Sequence, residues 1–84
     1  MREVTVYTTE SCSYCVRVKM LLSSRGIDFR EENLAGKPEE VVALAERTGM
    51  MTLPQVTVGS ILIGGYDDTA AAAASGMLAD LLAD

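Results

Sequence analysis

The chain has no histidine and no tryptophan, and only two cysteines and two prolines among its 84 residues. Two cysteines without histidine argue against a structural zinc site, which usually draws four ligands from those two residue types. They are also too few to staple a small extracellular scaffold. No apolar run approaches the roughly 18 residues that a membrane span needs. The opening segment Glu3-Val4-Thr5-Val6-Tyr7 alternates and lacks the apolar core of a secretory signal. The expected compartment is therefore the cytoplasm, where thiols start out reduced. Basic residues are the minority, seven against twelve acidic ones, for a net charge of −5. With no basic stripe to displace counterions, neither nucleic acid nor an anionic membrane surface is an expected partner. The length suits one domain, residues 1–84, with a thin stability margin.

The pattern that is present alternates strands with helices. Val4 and Val6 read as a strand ending near Thr8, with a short polar turn after it. From Ser13 to about Arg25, Val16, Met20 and Leu21 are set apart from Arg17 and Lys19, as on an amphipathic helix. Gly26 is its stop signal, and Arg25 suits the negative end of its dipole. Ile27-Asp28-Phe29-Arg30 alternates as a second strand, so strand, helix and strand predict a parallel pair. Gly36-Lys37-Pro38-Glu39-Glu40 opens another helix, whose Val41, Leu44, Ala45 and Thr48 share a face until Gly49. Gln55 to Val58 and Ile61 to Ile63 form a hairpin, with Gly59-Ser60 as a type II′ loop. Asp67 or Asp68 is the expected cap of a last helix that runs through the alanines, falters at Gly76 and continues to Leu82. The expected class is α/β, a mixed four-stranded sheet (βαβ then αββα) flanked by helices.

Cys12-Ser13-Tyr14-Cys15 falls between the first strand and the first helix, the position of a redox dithiol. A cysteine at a helix start lies beside unpaired N–H groups and the positive end of the dipole. Free cysteine, with a pKa of about 8.5, is only a few per cent thiolate at neutrality. Favouring the thiolate by one pKa unit takes about 1.4 kcal/mol, and a helix terminus supplies roughly 0.3–2 kcal/mol. Cys15 lies in the first turn on the same side. It should be the more buried of the two and act as the resolving thiol. A structural disulfide and a pair of inert buried cysteines are the plainer alternatives.

Tyr7-Thr8-Thr9-Glu10-Ser11-Cys12-Ser13-Tyr14-Cys15 resembles the active-site segment of glutaredoxins. Thr52-Leu53-Pro54-Gln55-Val56 is similar to their Thr-Val-Pro-Gln loop, and Gly64-Gly65-Tyr66-Asp67-Asp68 to their Gly-Gly-x-Asp-Asp turn. The resemblance covers essentially the whole chain. It implies a minimal thioredoxin fold and a monomer that reduces protein disulfides and glutathionylated proteins, with glutathione as co-substrate. It also implies that Cys12 attacks, that Cys15 resolves, and that the Leu53–Pro54 bond is cis. Glutathione would then contact Tyr14, Thr52, Leu53, Pro54, Gly65, Asp67 and Asp68.

Three departures from the family pattern stand out. Thr9 and Met50 occupy places where relatives often carry basic residues facing the glycine carboxylate of glutathione. Arg47 offers partial compensation at best, so weaker glutathione binding is expected. Ser13 replaces a common proline and adds a backbone N–H that could point at Cys12. Small residues at that place also go, in some relatives, with a [2Fe–2S] cluster held by Cys12 and glutathione in a dimer. Electron supply by a thioredoxin reductase, with delivery to ribonucleotide reductase, is the further alternative.

Overall fold

The computed structural model describes residues 2–83. In chain order the elements are β1 (Val4–Thr8), α1 (Ser13–Ser24), β2 (Arg30–Asn33), α2 (Pro38–Thr48), β3 (Gln55–Val58), β4 (Ile61–Gly64), α3 (Tyr66–Ser75) and α4 (Met77–Leu82). They build one four-stranded sheet in the order β2-β1-β3-β4. β1 runs parallel to β2 and antiparallel to β3, and β3 pairs antiparallel with β4. The mixed sheet expected from the sequence is the one that forms.

Val4 and Val6 of β1, Val56 and Val58 of β3, and Val18 and Leu22 of α1 form the core with Ala72 and Leu78. β1 and β3 are the inner strands, and nearly all their residues are buried. The charged residues of β2 suit an edge strand, where they discourage pairing with another sheet. The Gly59-Ser60 loop has the expected hairpin sense, with Gly59 at φ 58° and Ser60 outside the positive-φ region.

Four sequence expectations are corrected. The second strand is Arg30–Asn33, not Ile27 to Arg30. The end of α1 explains the shift: Gly26 turns left-handed, Gly26 N–H donates to Ser23 O, and Ile27 N–H donates to Leu22 O. This closure uses the Ile27 N–H that a strand would need. Ile27 and Phe29 pack against the core instead.

On α1 the buried face is Cys15, Val18 and Leu22, while Val16 and Met20 are 51% and 67% exposed. Helical spacing offered two apolar stripes, and docking on the sheet selects the one that carries Cys15.

Arg25 donates to Ala73 O at 3.4 Å, serving the last turn of α3 rather than its own helix. The C-terminal helical stretch is interrupted at Gly76, at φ 89°, as the sequence predicts, with α3 and α4 on either side. The N-cap of α3 is Gly65, with no side-chain cap bond, and Asp67 and Asp68 lie in its first turn.

Candidate active site

β1 ends at Thr8, and a polar turn leads into α1. Ser11 takes φ 53° in that turn, an unusual conformation for a side-chain-bearing residue. It delivers Cys12 to the N-cap position in extended geometry. Cys15 N–H donates to Cys12 Sγ at 3.1 Å, and Val16 N–H donates to Cys12 O at 3.2 Å. The sulfur itself caps α1, so the helix start directs an N–H at the atom that would carry charge. This donor is the amide of Cys15, not that of Ser13 as the sequence suggested.

Cys12 and Cys15 are joined as a disulfide. Cys12 is half-buried, whereas Cys15 is 2% exposed. A substrate can reach only the first sulfur directly.

Cys12 Sγ lies 3.9 Å from Leu53 O. The Leu53–Pro54 peptide is cis, as the resemblance implied. Buried Gln55 donates through Nε2 to Met50 O and Thr52 O, both at 3.0 Å, and so pins the loop that carries Leu53.

Beside the sulfur pair lies a cleft of about 350 Å³. The structure brings Tyr14, Thr52, Leu53, Pro54, Gly65, Asp67 and Asp68 together around it. Met50 and Tyr66 complete the lining, and no lysine or arginine takes part. Arg47 is exposed on α2 and lines a separate recess beside Tyr7 and Glu32. Thr9 lies outside the cleft too, in a groove on the β2 side of Cys12.

Tyr66 is the cleft residue that sequence reasoning missed. Its ring meets that of Tyr14 at 5.9 Å between centroids, and the Arg17 guanidinium sits 5.1 Å from the Tyr14 ring without joining the lining of the cleft. Its place inside the Gly-Gly-Tyr-Asp-Asp turn was the available signal. A cavity of about 560 Å³ at the Val4 end of β1 is larger than the cleft and holds neither cysteine.

A redox disulfide at a strand-to-helix junction, facing a cis-proline loop in this four-stranded α/β architecture, defines a thiol–disulfide oxidoreductase with the thioredoxin fold. Known proteins agree. The glutaredoxin family model matches residues 4–63. The chain is 44% identical to a glutaredoxin of Pseudomonas aeruginosa over 82 residues, covering 98% of each. It is 42% identical to glutaredoxin 3 of Escherichia coli, covering 98% of this chain and 99% of that one.

Among solved structures, the buckwheat glutaredoxin–glutathione complex superposes with a TM-score of 0.88 at 29% identity, covering 98% of this chain and 77% of that one. The Brucella melitensis glutaredoxin gives 0.85 at 40% identity, covering 98% and 89%. The chain belongs to the glutaredoxin family.

Proposed function

We propose that the chain reduces protein disulfides and glutathione mixed disulfides with glutathione as electron source, Cys12 being the nucleophile and Cys15 the resolving thiol. The observation that carries this reading is the asymmetry of the pair. One sulfur is accessible and accepts an N–H at 3.1 Å, and the other is 2% exposed.

In the reduced protein the Cys12 thiolate attacks a substrate sulfur, and the partner sulfur leaves as a thiolate that takes up a proton. With a glutathione mixed disulfide, glutathione stays on Cys12 and a second glutathione releases it as glutathione disulfide. With a protein disulfide, Cys15 attacks Cys12 Sγ, frees the substrate and closes the Cys12–Cys15 bond. Two glutathiones then restore the dithiol.

The cleft supports glutathione as the bound tripeptide. α3 has no side-chain cap, so its leading N–H groups suit the γ-glutamyl carboxylate. Asp67 and Asp68 suit the ammonium, and Tyr14, Thr52, Leu53, Pro54 and Gly65 form the remaining walls. The buckwheat relative is a glutathione complex. We place the protein in the cytoplasm as a single-domain monomer; no helix among the described residues is long and apolar enough to cross a membrane.

The test is a coupled assay with NADPH, glutathione and glutathione reductase. Cys12→Ser should abolish turnover of a glutathione mixed disulfide, and Cys15→Ser should retain much of it. Equal behaviour of the two variants would overturn the assignment.

With no cation lining the cleft, the glycine carboxylate lacks a charge-assisted contact, commonly worth about 1.5–3 kcal/mol. The KM for a glutathione mixed disulfide should therefore exceed that of a glutaredoxin with basic residues at the places of Thr9 and Met50, measured alongside. An equal or lower KM would contradict this. The same missing cation favours the alternative of supply by a thioredoxin reductase, which requires turnover with that enzyme and none with glutathione.

Among the described residues no group of three or more histidine, cysteine or acidic side chains could hold a metal ion. A [2Fe–2S] cluster of the kind the resemblance allows would take only Cys12 from each chain, with glutathione and a second copy supplying the other ligands.

A further inference from the structure

Cys12 lies between two recesses. The cleft already described is built on the β3–β4 side of the sheet, from the loop before β3 and the turn after β4. The other is a groove of about 440 Å³ on the β2 side, lined by Cys12 with Glu10, Ser11, Val16, Lys19 and Glu31 among others. The two share no lining residue. We propose that this second groove receives the polypeptide of a disulfide substrate and selects basic and apolar residues beside the reactive cysteine.

Three observations carry the proposal. The groove reaches Cys12, which is part of its wall. A polypeptide, unlike a tripeptide, continues well past its cysteine in both directions and needs a surface beyond the cleft. Val16 and Met20 follow Cys12 at i+4 spacing on α1 and are 51% and 67% exposed. They extend an apolar stripe away from the sulfur.

Charge sets the sign of the partner. Lys19 Nζ is 3.1 Å from Glu31 Oε2, and that pair neutralises itself. This leaves the carboxylate of Glu10 uncompensated by any other cation in the lining, in a chain of net charge −5. A lysine or arginine next to the target cysteine complements it.

The inference rests on the function proposed above. The Cys12 thiolate attacks one sulfur of the peptide disulfide, and the other sulfur leaves and is protonated by solvent. Cys15 loses its proton, attacks Cys12 Sγ and releases the second peptide thiol. Two electrons pass from the cysteine pair to the peptide.

The test uses the full chain in the glutathione-coupled assay with two cyclic disulfide peptides of equal length. In one, arginine and leucine flank the cysteines; in the other, glutamate and serine do. A small mixed disulfide of cysteine and glutathione is the third substrate. The native chain should favour the arginine–leucine peptide. Glu10→Lys should shift that preference towards the acidic peptide, and Val16→Ser should lower kcat/KM for the leucine-bearing one. Each effect should be roughly three- to tenfold, as for loss of one exposed contact.

Turnover of the small substrate should not change in either variant. Unchanged peptide preference with an active small-substrate reaction would overturn the groove alone. So would a raised KM for free glutathione in Glu10→Lys, which would mean that the groove takes the incoming thiol. No turnover of the small substrate by the native chain would overturn the underlying reading, and the groove with it.

Discussion

At Cys12, the proposed nucleophile, the backbone supplies what a basic side chain supplies at many others. The sulfur is itself the N-cap of α1 and accepts the Cys15 N–H at 3.1 Å. Charge on the sulfur is stabilised by a group that needs no further ordering once the helix exists. The same economy appears across the cleft. Gly64 holds φ 126°, and the Asp68 side chain folds back into the space that a Cβ would occupy. Asp68 Cβ and Cγ would each lie 2.9 Å from such an atom. Gly64→Ala should cost about 1–3 kcal/mol through strain and displacement of Asp68. Urea unfolding measures this, and a neutral effect would contradict the account.

The residues legible in the sequence at this scale were those with one dominant chemistry: the cysteines and Pro54. Ser13 and Tyr66 were not. Which amide reaches the sulfur, and which ring closes the cleft, depend on backbone angles that side-chain type does not encode.

Between elements, a small polar junction fixes the β2 side of the site. Thr8 Oγ1 of β1 donates to Glu31 Oε2 of β2 at 2.7 Å, and Lys19 of α1 donates to both Glu31 oxygens at 3.1 and 3.2 Å. The Thr8 hydroxyl first, and the Lys19 ammonium next, hold the Glu31 carboxyl below its usual value of 4.5. A depressed folded pKa gives stability that is present above the unfolded value and is lost as pH falls through the folded one. The side chains of Lys19 and Glu31 are 32% and 34% exposed, so screening keeps the contribution to no more than about 1 kcal/mol. Glu31→Gln should therefore destabilise the protein at neutral pH, and the gap should close in acid below pH 4.5. Unfolding curves across that range test it, and a gap independent of pH would contradict it.

Element order and type were readable from periodicity and glycine placement, since Gly26, Gly49 and Gly76 each mark a helix end. The offset of β2 was not, because alternation at Ile27 to Arg30 looks the same whether or not the helix end has claimed the first amide. Nor was the rotation of α1, since only docking on the sheet chooses between two apolar stripes.

At the scale of the whole molecule, the sheet order decides what surrounds Cys12. Placing β1 between β2 and β3 sets Cys12 at the centre, with a cleft on one side and a groove on the other. The cleft was legible because its three segments resemble those of a known family in order and spacing. The groove was not, because Glu10, Lys19 and Glu31 meet only after the parallel pairing of β1 and β2.

We expect this architecture to hold the accessible sulfur as a ready anion. The direct measurement is an ultraviolet titration of thiolate absorbance in Cys15→Ser, where Cys12 is the sole thiol. Absorbance should rise at a clearly lower pH than for free cysteine in the same buffer. A curve coincident with free cysteine, or displaced to higher pH, would contradict the account.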